Sequence, residues 1–303
     1  MLNDIMRLPH IGEILSLVSA FVWALSVVLF RISGDKDKVH PLAMNLFKNW
    51  LALVLLTATV AVIGGEIPPL PLKTVGVFVL SGILGIALSD WLFFTALVKL
   101  GAELTAIVDC AYSPFVIILS FLFLGEHMTG LQIVGVMLIV GAVLLITRRK
   151  SDEKISRRNL LTGIGVGVVS MLLTAGGIVL AKPFLPGVSV LWATLIRMAG
   201  GAAAGTLLWG AHPRRREILR PLRPGPEYKI LLPASFLSAY LSVLIWMAGM
   251  KYTQASIASA LNQLNTIFIF ILAALILKEK ITPLKLAAVI LAFAGAMLVS
   301  IPL

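Results

Sequence analysis

Ten runs of roughly 20 apolar residues, separated by short polar breaks, follow one another along the chain. They cover residues 11–30, 42–63, 74–98, 102–124, 131–147, 160–181, 188–210, 230–250, 253–277 and 284–301. Within each run Leu, Val, Ile and Ala succeed one another without the alternation of barrel strands. Lipid offers no partner to an open backbone group, so runs of this length predict helices that cross a bilayer. The expected fold is an all-α polytopic membrane protein with ten transmembrane helices. Little chain remains for a separate soluble domain. The first run is too long for a removed signal peptide and lacks its small-residue cleavage site.

Composition supports this reading. Apolar residues make up 59% of the 303, charged residues 13%, and the mean hydropathy is +1.01. A soluble domain carries about a quarter charged residues. The net charge of +11 raises nucleic acid as a partner, above all at "HPRRREILRPLRPG", but the placement of the charges argues against it. Nineteen Lys and Arg follow the odd-numbered runs, four lie on the opposite side (Arg7 before the first run, Lys73, Lys182 and Lys251 after even-numbered ones), and Lys48 and Arg197 lie inside runs. The positive-inside rule then puts the basic loops in the cytoplasm, against anionic lipid, and both termini outside.

The chain also aligns with itself. Arg31 falls on Lys182, Lys48 on Arg197, Lys99 on Lys251 and Glu126 on Glu279, at a nearly constant offset of about 150 residues. Residues 1–150 and 151–303 therefore read as two five-helix repeats. Five is odd, so the second repeat must enter the membrane from the other side. The loops agree: the Glu126 loop has no Lys or Arg, whereas the Glu279 loop has three lysines. A 5+5 inverted-topology repeat is expected.

"GEHMTGLQ" and "KEKITPLK" mark equivalent helix starts. Thr129 with Gln132 reads as a capping box, and Thr282 with Pro283 as an N-cap with proline at the first helical position. Glu126 and Glu279, just ahead, are expected to meet the positive end of the helix that follows.

Ionisable groups inside the runs are costly and so are functional candidates. Asp90 and Asp109 flank the turn near Leu100 almost symmetrically, which puts both about 12 Å from the cytoplasmic face on adjacent helices. Lys48 reaches a similar depth. Asp109, with Asp90, is a candidate site for a proton or a cationic group, with Lys48 as counter-ion. A static ion pair, or a lysine reaching back to the headgroups, is the competing reading. Arg197 is expected to face inward, to substrate or as a gating contact. Glu103, one turn from the interface beside Lys99, is expected to be solvated.

Asn262 and Asn265 share a helical face and align with Cys110 and Ser113 across the repeat, either binding a ligand or bridging helices. Trp23, Trp91, Phe94, Tyr112, Tyr240 and Trp246 surround the same depth, as an aromatic wall for a small amphipathic solute or as packing. The substrate-site candidates are thus Trp23, Trp91, Phe94, Asp109, Tyr112, Ser113, Tyr240, Trp246, Asn262 and Asn265. Asp90, Asp109, Lys48 and Arg197 are the charge-coupling candidates. Gly163, Gly165 and Gly167 in "GIGVGVVS" read as helix packing, not a nucleotide loop. His10, His40, His127 and His212 lack zinc-ligand spacing, no GxSxG occurs, and Cys110 is the lone cysteine. No metal, cofactor or catalytic group is expected, nor a nucleic-acid partner.

The chain resembles the EamA-like branch of the drug/metabolite transporter superfamily over nearly its whole length. The resemblance rests on Trp23 in "FVWALS", on the basic residues Lys48 and Arg197, on Pro114 in "TAIVDCAYSPFVIILSFLFLGEHMT", and on the helix "GLQIVGVMLIVGAVLL". Lys48 departs from the usual arginine, and Thr266 stands where the second repeat's mid-helix proline would fall, so the halves are expected to bend unequally. The resemblance implies alternating access and export of amino acids, metabolites or drugs. The reading is a secondary transporter of a small organic solute in the inner or plasma membrane, with proton coupling among its expectations and lipid and protons as partners. A lipid-linked-sugar flippase is the alternative; a membrane enzyme or a scaffold follows further behind. Monomer and homodimer are not distinguished.

Overall fold

The computed structural model describes residues 10–34, 39–63, 68–125, 129–147, 155–185, 188–220, 228–252, 261–279 and 281–299. Among these residues the regular structure is helical, with no strand. Helix α1 is Ile11–Ser33, α2 Pro41–Ile63, α3 Leu72–Leu100, α4 Ala102–Leu124 and α5 Gly130–Thr147. Helix α6 is Arg157–Ala181 and α7 Val190–Ala211. Helix α8 is built from Tyr228–Ser235, Phe236–Ser242 and Val243–Tyr252, α9 is Asn265–Ile276 and α10 is Pro283–Val299. Seven of them, α1–α4 and α6–α8, are long and apolar enough to cross a membrane; α5, α9 and α10 are shorter apolar helices. Val54, Phe121, Phe123, Leu144 and Leu207 lie exposed on the outside. Greasy helices with a greasy exterior make this a multi-pass membrane protein.

Local capping chemistry appears where the sequence predicts it. Gln132 N–H donates to Thr129 Oγ1 (3.1 Å) while Thr129 N–H donates to Gln132 Oε1 (3.0 Å), closing the capping box of α5. Lys285 N–H donates to Thr282 Oγ1 (3.3 Å) with Pro283 opening α10. Glu126 lies outside the described residues. Glu279 does not serve the helix that follows it: its Oε1 accepts from the Ala102 N–H of α4 (3.3 Å), at the first turn of a helix in the other half. Gly101, at φ +85°, makes that turn, and a side chain there would meet the Glu279 carboxylate at 3.0 Å.

Three helices are less regular than the apolar runs suggest. Helix α3 widens to π geometry over Ile83–Leu88, and α8 does so over Phe236–Ser242, the counterpart segment. Helix α4 breaks at Cys110–Ala111, between Ala102–Asp109 and Tyr112–Leu124. Pro114 explains the break, because it has no N–H for the Cys110 carbonyl. The second half breaks at Gln263–Leu264, just ahead of α9, without a proline. The halves are therefore interrupted at matching positions, with Pro114 beyond one break and Thr266 beyond the other. These turns also correct the repeat register by one residue: Gln263 and Thr266, not Asn262 and Asn265, are the counterparts of Cys110 and Ser113. Asn262 is the counterpart of Asp109.

Packing between helices recurs in matched pairs. Helix α3 lies on α6, and their counterparts α8 and α1 lie on each other. Helices α2 and α7, α4 and α9, and α5 and α10 each pack on their own counterpart. The matching extends to single hydrogen bonds. Ser89 Oγ donates to the Ser170 carbonyl (2.9 Å) and Ser170 Oγ to the Ser89 carbonyl (2.8 Å). At the counterpart positions Ser19 Oγ donates to the Ser242 carbonyl (2.9 Å) and Ser242 Oγ to that of Ser19 (3.4 Å). Where α4 meets the segment opening α9, Cys110 Sγ lies 3.3 Å from Thr266 Oγ1, and Gln263 Nε2 donates to Ser113 Oγ, again a matched pair. Helices α3 and α7 touch backbone to backbone: a Cβ at Gly82 would land 1.9 Å from the Arg197 carbonyl oxygen.

Candidate functional site

A cluster of charges occupies the interior where α2, α3, α4, α7 and α9 converge. Lys48 on α2 is buried, and its Nζ lies 2.5 Å from Asp90 Oδ2 on α3. The same ammonium sits 5.9 Å from the centre of the Phe94 ring. Asp90 follows directly on the π segment, which Asn45 of α2 holds by donating to the Ala87 carbonyl (2.8 Å). Asn49 donates in turn to Asn45 Oδ1 (2.9 Å). A polar strip of α2 thus supports the widened turn of α3 and sets the depth of the carboxylate. Such bulges recur at functional sites because they redirect the side chains after them.

Arg197 on α7 approaches from the other side. Its guanidinium reaches Gly85 of the π segment, where an added Cβ would lie 3.7 Å from one terminal nitrogen. It lies within electrostatic reach of both Asp90 and Tyr112. Tyr112 in turn feels Asp109, and the Asn265 amide faces the Asp109 carboxylate. A chain of polar groups therefore runs from Lys48 through Asp90, Arg197, Tyr112 and Asp109 to Asn265, drawn from both halves. Asp90, Asp109, Tyr112 and Arg197 are each partly accessible rather than sealed.

The two cations differ. Lys48 has a carboxylate partner; among the described residues Arg197 has none, and its Nε makes no hydrogen bond. Asp109 likewise has no ion-pair partner among the described residues. Among the described residues the interior thus presents one cation and one carboxylate that each lack an ion pair, with a phenol between them. The Trp246 indole N–H is a further buried donor without a partner among these residues. No group of His, Cys, Asp and Glu among the described residues could hold a metal ion.

The remaining predicted residues have varied surroundings. Trp23 stacks at a tilt on Phe93, with centroids 6.2 Å apart. Phe94 is buried between Phe30 (4.6 Å) and Phe93 (5.8 Å), so its second role is packing. Trp91 is half-buried against the main core. Tyr240 bonds Thr59 Oγ1 through its hydroxyl (2.8 Å), tying α8 to α2. Ser113 is engaged by Gln263, and Asn262 is half-buried beside it in sequence only. Glu103 overturns the expectation of solvation: it is fully buried and paired with Lys285 of α10. The sequence reading missed Asn45, Asn49 and the four clasping serines. Their signal was present as polar residues on a helical spacing within apolar runs, such as Asn45 and Asn49 at i, i+4.

Among solved structures 21 chains match, one of them a crystal structure of a protein 14% identical, with a TM-score of 0.64 over 95% of each chain. That likeness concerns the fold alone. No curated protein matches the sequence. The profile of the EamA-like transporter family matches the chain twice, over residues 10–148 and again over 161–301. With both halves matched and the charged interior lying between them, the chain belongs to the EamA-like transporter family.

Proposed function

We propose that this protein is a secondary transporter that exports a small organic solute carrying opposite charges, such as an amino acid, by alternating access. The observation that carries this reading is the unneutralised pair in the interior, Arg197 and Asp109. A carboxylate on the solute would meet the Arg197 fork, and an ammonium would meet Asp109, with Tyr112 and Trp246 as neutral donors. Taking two buried charges to neutrality gives the solute a reason to bind that water alone does not supply. Ten membrane helices in two inverted units, residues 1–150 and 151–303, supply the mechanism. The matched helix pairs, twin π segments and reciprocal hydrogen bonds support it, because two units of like packing energy exchange conformations readily. The inner or plasma membrane, termini outside, and exchange of protons at the central carboxylates complete the proposal. A lipid-linked-sugar flippase needs a multiply cationic seat for phosphate, and Asp90 neutralises one of the two cations.

Counterflow in proteoliposomes with a panel of labelled amino acids, organic acids and amines tests this. Exchange of a zwitterionic solute, lowered at least about tenfold in both Arg197→Gln and Asp109→Asn, is expected, a difference of about 1.4 kcal/mol or more. Exchange of no panel member, or wild-type rates in both variants, overturns it.

A further inference from the structure

A second buried ion cluster lies at the start of α4, away from the central charges. Glu103 is fully buried, with one oxygen on the Lys285 ammonium. Glu279 stands 4.0 Å from the same ammonium while capping Ala102. Two carboxylates therefore share one ammonium, and Glu103 Oε1 has no hydrogen-bond partner among the described residues. Among the described residues, Lys285 and Glu279 are the charged groups that face Glu103. Lys99 at the end of α3 and the exposed Arg157 and Arg158 at the start of α6 form no ion pair with it.

An anionic oxygen closed off from water and given no donor is costly. A proton removes that cost twice over: it cancels the excess negative charge and turns an unmatched acceptor into a donor, with the neighbouring Glu279 carboxylate as its acceptor. We propose that Glu103, framed by Glu279 and Lys285, is a proton-binding site separate from the central charge cluster. Protonation neutralises the partner of Lys285 and so loosens the link between the start of α4 and the turn joining α9 to α10. The other half has no such device. Gln132 stands in the place of Lys285 and Ser256 in that of Glu103, and Gln132 spends its side chain on the α5 cap. The site therefore belongs to one face of the membrane, and gives the two halves a further difference that a proton gradient can act on.

Infrared difference spectra of the purified protein in lipid nanodiscs, stepped from acid to alkaline pH, test the assignment without any solute. A protonated-carboxyl band that fades as pH rises is expected in the wild type and absent from Glu103→Gln. An intact band in Glu103→Gln overturns the proposal, whether or not Asp109→Asn removes it, as does the lack of any such band in the wild type. Should Glu103→Gln fail to fold, Glu103→Asp decides: the band must shift in frequency, and an unshifted band overturns the proposal. Failure here leaves the transport reading standing, and failure of counterflow leaves this one.

Discussion

Ser89 with Ser170 and Ser242 with Ser19 occupy counterpart positions and make the same reciprocal hydrogen bonds. Lys48 and Arg197 also occupy counterpart positions, yet Lys48 is paired with Asp90 while Arg197 forms no ion pair among the described residues. At the helix starts, Glu103 and Lys285 form a buried ion pair where the other half has a neutral capping box. Among the described residues the serine clasps are thus matched between the halves, and these two charged contacts are not. The physical reading is that the two parts of the molecule answer different demands. On the proposed transport function, exchange of conformations between halves would draw on like packing energies such as those of the serines, π segments and helix breaks. Recognition and direction would draw on a difference such as that between the charges.

The largest effect should come from breaking the asymmetric pair. Lys48→Met leaves Asp90 as a buried, unpaired carboxylate and is expected to cost about 3–5 kcal/mol of stability, measured by unfolding in detergent. Lys48→Met with Asp90→Asn should recover most of that loss. Arg197→Met, at the counterpart position, should cost less than Lys48→Met because no ion pair is broken there. Equal losses at the two positions would remove the distinction between a structural and a vacant cation.

Next come the glycine contacts. Gly82→Ala places a methyl group 1.9 Å from the Arg197 carbonyl and must push α3 from α7, at about 1–3 kcal/mol. Its counterpart Ser235 already carries a side chain, whose buried hydroxyl has no partner among the described residues. Ser235→Ala should therefore be neutral or slightly stabilising. Thermal unfolding of the two variants side by side checks the contrast.

The smallest expected effect is also the test of symmetry. Ser89→Ala and Ser242→Ala should each lose about 1 kcal/mol. The loss at Ser89 should be the larger, because Ser89 also bonds Thr174. A loss confined to one of them would show that the two clasps are alike in geometry only.

The capping box at Thr129 and Gln132 was legible in the sequence because its donors and acceptors lie within one turn of each other. Lys48 with Asp90 was legible as one of two readings, since helix rise alone gives similar depths. Glu103 was not: its distance from the helix start suggests water, and only the arrival of Lys285, 182 residues away, replaces that water. The π segments were illegible as well. Apolar runs hide a one-residue widening, and the same blindness put the repeat register at α9 one residue out.

By itself the sequence determined that the chain crosses a membrane many times, where the capped helices α5 and α10 start, and that its halves are copies. Bilayer thickness, backbone saturation and capping act on contiguous residues, so a linear reading suffices for them. Which cation is neutralised, which carboxylate lies open to the interior and which glutamate lies buried were decided only in three dimensions. Each depends on which helix faces meet, and a single apolar surface serves equally well against many neighbours until backbone contacts such as Gly82 on Arg197 select one.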